Sequence, residues 1–282
     1  MRKGARGLLG VVAVGLIIVL VGTVVTLAWL RERGQVPPLP FEQRCVATTP
    51  DKRVVLTLDQ ARWTAIVVGV GVGRDLGTHA ATIAMATVYQ ETGIRNLDYG
   101  DRDSVGLFQQ RPSQGWGTPE QIMDPWYSTT QFYDALVEIP GWESGDVNDT
   151  AQAVQRSGHP HAYRKHETKA RALAAVFAGD VPAGLSCFDE RSLPGDPDTF
   201  RTELQRTFGS LSVETDPTGL TVRAQSDKEA AAITAFAVAN AGRLGIARVE
   251  SAGQVWNATD PGLPVWRTGG GTPDDVVGIV FR

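Results

Sequence analysis

Histidine and cysteine are scarce here, at four and two among 282 residues. Neither the HExxH helix pattern nor a Cys/His finger spacing can be assembled from them, so no metal site is expected. An excess of basic charge is missing too. The net charge is −4, and residues 1–33 hold five Lys/Arg (Arg2, Lys3, Arg6, Arg31, Arg33) against one acid, Glu32. The rest of the chain carries 22 basic and 30 acidic residues, a net of −8. Nucleic-acid binding, which needs a basic patch or stripe, is excluded on that balance. No internal repeat is visible, which argues against a solenoid or propeller. What remains is an ordinary globular composition, 42% hydrophobic and 21% charged, at a length that suits one large domain or two modest ones.

One hydrophobic run stands out. GLLGVVAVGLIIVLVGTVVTLAWL, from Gly7 to Leu30, carries no charge. As a helix it extends ~35 Å, enough to cross a bilayer's hydrocarbon core. It is longer than a signal-peptide core and has no small-x-small exit, so residues 1–33 read as a cytoplasmic tail and a transmembrane signal anchor. Arg2, Lys3 and Arg6 favour an N-terminus inside, with Arg31 and Arg33 beyond the span pulling the other way. The bulk of the chain is therefore expected outside the cytoplasm. There, Cys45 and Cys187 bracket one segment of about 140 residues. A disulfide closing that segment is the natural reading, and two separate buried thiols the alternative.

Residues 34–44 form a proline-rich spacer, and 45–187 read as mainly helical. Helices are expected over LDQARWTAIVVGVGVGRDLG from a cap at Asp59, over THAATIAMATVYQE up to Gly93, after the capping box Thr118-Pro119-Glu120-Gln121, over YSTTQFYDALVEI, over AQAVQRS from a cap at Asp149 or Thr150, and after Pro160. Residues 188–197 are a polar, turn-rich linker. Residues 198–282 alternate helix and strand patterns (TFRTELQRTF, SLSVET, LTVRAQ, an Ala-rich helix from Asp227, IARVESA, QVWNA, DDVVGIVFR) and read as a small α+β domain. The fold class expected is α+β.

The chemistry concentrates in YQETGIRNLDYGDRDSVGLFQQRPSQGWG, Tyr89 to Gly117. On a helix, Glu91 shares a stripe with Thr87, Ala84 and Ile83, so its carboxylate emerges where apolar packing meets a loop. Partial desolvation is the usual means of keeping a carboxylic acid protonated near neutral pH for proton donation. The plainer alternative is a glutamate on the solvated rim of a helix end. In the loop, Gly106 allows close backbone approach, Phe108 offers a ring face, and Gln109 and Gln110 offer paired donors and acceptors. These are fittings for a polar, neutral polymer such as a glycan.

Glu91 followed by Ser104-Val105-Gly106-Leu107-Phe108-Gln109 resembles the signature of lytic transglycosylases with the lysozyme-like fold. NLDYGDRDSVGLFQQRPSQGWGTPEQI, with AQAVQRS downstream, is also similar to membrane-anchored bacterial envelope proteins of that superfamily. The resemblance covers most of 45–187 and none of the C-terminal domain. It implies a lysozyme-like helical domain that cleaves peptidoglycan glycan strands between N-acetylmuramic acid and N-acetylglucosamine. Glu91 would serve as the single acid/base, without a cofactor. Thr92 stands where the family has serine, and Phe108 where it has methionine. The family's downstream Ala-Tyr-Asn-Ala-Gly phrase falls near Ala153–Ser157, where only Gln155 can stand in for the asparagine, and Tyr163 matches a later groove tyrosine. The substrate-binding set implied is Thr92, Ser104, Gly106, Phe108, Gln109, Gln110, Gln155 and Tyr163. The rival reading is a non-catalytic module of the same fold that binds glycan or envelope partners. In either case the C-terminal domain is a candidate docking surface for an envelope protein.

Asp98, Asp101 and Asp103 are candidates for a second carboxylate, although such loops are usually solvated turns and Arg95 or Arg102 can pair with them. His159, His161 and His166 cluster with Glu167, but Arg164 and Lys165 would repel a cation. The sequons at Asn148 and Asn257 read as chance, and the glycines at 269–272 read as a turn.

Overall fold

The computed structural model describes residues 43–156, 161–217 and 219–282. The expected membrane anchor, nearly all of the spacer, and His159 lie outside them. Among the described residues no helix is long and apolar enough to cross a membrane. The described chain is mixed α+β, with eight α-helices and two antiparallel sheets.

A small sheet opens and closes the first half. β1 (Arg44–Thr48) lies between β2 (Arg53–Leu56) and β3 (Leu185–Phe188), with Cys45 opposite Cys187 in the register. Those two cysteines form a disulfide. The helical reading of 45–187 contained no strands. They are four or five residues long, and β1 finds β3 only after a separation that local periodicity cannot register.

Two helices form the centre. α1 (Leu58–Gly73) starts at a capping box made by Thr57 and Gln60, two residues earlier than the Asp59 cap expected, because Gln60 can answer the Thr57 amide. α2 (Gly77–Thr92) is buried without interruption from Ala80 to Val88 and ends on Gly93, whose φ of 63° is the left-handed C-terminal conformation glycine accepts readily. Around them pack α3 (Pro119–Met123), α4 (Pro125–Val137), α5 (Val147–Gln155) and α6 (Glu167–Phe177). The Thr118 capping box is present as expected, whereas Asp146 caps α5, its carboxylate accepting from the Asp149 amide.

The second half holds α7 (Pro197–Phe208), α8 (Asp227–Asn240) and a six-stranded sheet. Its strands are β4 (Ser212–Asp216), β5 (Gly219–Arg223), β6 (Ile246–Ser251), β7 (Gln254–Asn257), β8 (Arg267–Thr268) and β9 (Val276–Phe281), in the order β4-β5-β9-β6-β7-β8. Residues Gln43–Arg282 make one compact unit with a core that is continuous across the 188–197 segment. Trp126 of α4 donates its indole N–H to the Thr207 hydroxyl of α7 at 2.9 Å, and the Arg206 guanidinium stacks over the Trp126 ring.

Candidate active site

The buried helix α2 delivers Glu91 to the surface. Ile83, Ala84 and Thr87, one to two turns before it, are fully buried, so the stripe read from the sequence does face the core. Glu91 itself is half-buried. Its helix end is fastened from two sides. Gln60 of α1 donates to the Gly93 carbonyl at 2.9 Å, and the buried Thr92 hydroxyl lies 3.0 Å from both the Val88 and Leu107 carbonyls. Thr92 therefore joins the helix end to the loop, and its hydroxyl is turned away from any ligand.

The loop folds back on itself as a miniature hairpin, with bridges between Leu97 and Gly106 and between Val105 and Gln110. Gly106 has φ 80°, and a Cβ there would lie 2.8 Å from the Ile122 carbonyl. The close approach it permits is to α3, not to a ligand. Phe108 offers no ring face to a ligand either. It is fully buried and stacks on Phe132 of α4 at 4.6 Å, because an apolar ring gains more in the core than on a wet loop. Of the two glutamines, Gln109 reaches the surface of the cleft and Gln110 is buried in its wall. Gln109 donates to the Tyr99 and Gly106 carbonyls at 3.2 and 3.3 Å. Gln110, 1% exposed, donates to the Ser128 carbonyl at 3.0 Å, and its buried Oε1 has no hydrogen-bond partner among the described residues. Gln155, at the end of α5, donates to the Phe108 carbonyl at 2.7 Å and so clamps the loop from the far wall.

Glu91, Ser104, Gln109, Gln110 and Gln155 line one cleft of about 770 Å³. Gln90, Asp101, Arg102, Arg111, Gln114, Trp116 and Arg156 complete its walls. Tyr163 is not a wall residue. It is fully buried, and its hydroxyl donates to Glu91 Oε1 at 2.8 Å from beneath. Of the predicted set, Ser104, Gln109, Gln110 and Gln155 share the cleft with Glu91, while Thr92, Gly106, Phe108 and Tyr163 support it. Sequence reasoning overlooked Trp116, whose half-buried ring is the one aromatic group on the cleft wall among the described residues. Its signal was available, a large apolar residue between two glycines in an otherwise polar loop.

The three aspartates separate. Asp103 is held by Arg111 at 2.8 Å and by the Ser113 amide at 2.7 Å, and these partners keep its carboxyl well below the usual carboxylate range. Asp98 is exposed and outside the cleft wall. Only Asp101 lines the cleft, on a side chain that is 94% exposed.

Among the described residues no group of three or more His, Cys, Asp or Glu side chains is arranged to hold a metal ion. His166 instead stacks on Tyr89 at 5.5 Å and faces the Gln90 side-chain oxygen at 3.3 Å. Burial, then the charges of Lys165 and Lys169, lower its pKa. Asn148 is fully buried, its carbonyl oxygen accepting from the Arg164 amide, so that sequon is not an accessible acceptor.

No family model matches the sequence, and no curated protein matches it. The functional reading therefore rests on the cleft. Among the described residues its walls carry one half-buried carboxylate held by a buried phenol, one aromatic ring, three arginines and several side-chain amides. That set can bind a hydroxyl- and amide-rich chain and transfer a proton at one point along it.

Proposed function

We propose that the protein cleaves peptidoglycan glycan strands at the bond between N-acetylmuramic acid and N-acetylglucosamine, with Glu91 as the single acid/base. The observation that carries this reading is the Tyr163–Glu91 hydrogen bond, 2.8 Å long, in which a buried phenol holds one oxygen of a carboxylate that lines the cleft. Among the described residues the other carboxylate on the wall is Asp101, whose side chain is 94% exposed.

One carboxylate suffices when the substrate supplies the second group. Glu91 donates its proton to the glycosidic oxygen as the C1–O bond breaks. The acetamido oxygen of the muramic residue closes on C1 and carries the positive charge. Glu91, now a carboxylate, takes the proton of the muramic C6 hydroxyl while O6 displaces the acetamido oxygen, giving a 1,6-anhydro end. If water is deprotonated instead, the product is a reducing end. The Trp116 ring is a natural platform for the apolar face of a sugar.

The test is mass spectrometry of purified peptidoglycan after incubation with the full-length protein, wild type beside Glu91→Gln. Anhydro or reducing ends released by wild type alone support the reading. Retention of glycan by both proteins without any release would support the non-catalytic alternative instead.

A further inference from the structure

Seven non-glycine residues among those described have positive φ, and three of them, Arg102 (57°), Gln109 (50°) and Arg156 (49°), line the same cleft. An L-residue held there is strained relative to its ordinary conformations. Arg156 is the sharper case, since it closes α5 at the position where glycine is the usual choice. A chain that tolerates strain at two arginines on one cavity has a use for their side chains.

Their charges are also uncommitted. Arg111, the third arginine on the wall, is engaged by Asp103 at 2.8 Å. Arg102 meets only Asp101, at 3.9 Å, with the two side chains 70% and 94% exposed, a pairing that contributes little in water. Arg156 makes no ion pair among the described residues. The contrast with the rest of the molecule is sharp, because residues 34–282 are net negative by eight charges. A neutral polymer would not call for guanidinium groups here, whereas a carboxylate matches their planar, two-pronged donor geometry.

We propose that Arg102 and Arg156 read anionic groups on the bound chain, so that this cleft selects carboxylate-bearing glycan over a neutral one. The inference rests on the reading of the cavity as a glycan cleft and goes beyond it by naming what the glycan must carry. Both arginines act on substrate binding. The proton transfer at Glu91 does not depend on them.

The test is equilibrium binding to the full-length protein in the Glu91→Gln background, where nothing is cut, with and without Arg102→Ala and Arg156→Gly. Glycine is chosen at 156 because it accepts the left-handed backbone, and thermal unfolding of each variant checks that the fold is kept. The probes are peptide-bearing peptidoglycan strands with free carboxylates, the same strands after methyl esterification, and chitin oligosaccharide. Free-carboxylate strands are expected to bind ~10–100-fold more tightly than esterified ones. The double substitution should erase that difference without weakening the esterified strands, and added salt should mimic it. Equal binding of free and esterified strands, or a preference that survives the double substitution, overturns the proposal. Cleavage by wild type is measured in parallel. If nothing is cut but the charge preference persists, the enzymatic reading fails and the selectivity stands. If both strand forms are cut equally and bound equally, the reverse holds.

Discussion

Tyr163 sits 72 positions from Glu91 in the chain and 2.8 Å from its carboxylate in the fold. Buried and rigid, it acts as a positioning residue, and its loss should separate rate from binding. Tyr163→Phe is expected to lower kcat ~10–100-fold, the range for a hydrogen bond to a charged group, with KM little changed. Steady-state assays on peptidoglycan read both. His166 offers a second residue-level test. Its folded pKa lies below its unfolded value, so the unfolded chain binds more protons, and stability falls as pH drops through ~6.5. His166→Gln should flatten the thermal midpoint between pH ~5 and ~7. Glu91 was legible in the sequence because its helical stripe is apolar and a Gly- and Gln-rich loop follows. Phe108 was misread because a loop aromatic looks the same in sequence whether its ring faces a ligand or the core. Only the position of Phe132 decides between them.

At the scale of elements, α1 shows what its glycines are for. In sequence, Gly69, Gly71 and Gly73 look like weak points in a buried helix. In the fold they are contact points. A Cβ at Gly71 would lie 2.7 Å from the Tyr133 hydroxyl, and one at Gly73 2.7 Å from the Phe208 Cα and 2.8 Å from the Thr207 carbonyl. Backbone cannot yield as a flexible side chain can, so Gly73→Ala should cost about 1–3 kcal/mol despite alanine's better helix propensity. Denaturant unfolding would check it, and a stabilised variant would show that α1 and α7 are not packed as described. The helices and most second-half strands were legible from caps and apolar periodicity. The β2-β1-β3 sheet was not, since its register joins Arg44–Ala47 to Leu185–Phe188 and no local pattern carries that pairing.

At the largest scale, residues Gln43–Arg282 form one compact unit. The two halves are joined by Trp126 with Thr207 and by Glu203, which receives both Arg62 and Arg243. Composition marks a boundary at 188–197, because the helical and mixed patterns change there. Sequence cannot show that the core crosses it. Reduction of the Cys45–Cys187 disulfide, which closes a loop with a separation of 142 residues, should lower stability by about 5 kcal/mol in the chain-entropy account. Thermal unfolding with and without reductant measures this, with one transition expected in each case.

The central claim is that one carboxylate does the chemistry. Its most direct test is the rate at which wild type, Glu91→Gln and Asp101→Asn release soluble fragments from purified peptidoglycan. The account predicts that Glu91→Gln loses activity by at least ~1000-fold while Asp101→Asn stays within about threefold of wild type. Equal loss in both variants would mean a two-carboxylate mechanism. Activity retained by Glu91→Gln would remove Glu91 from the chemistry altogether.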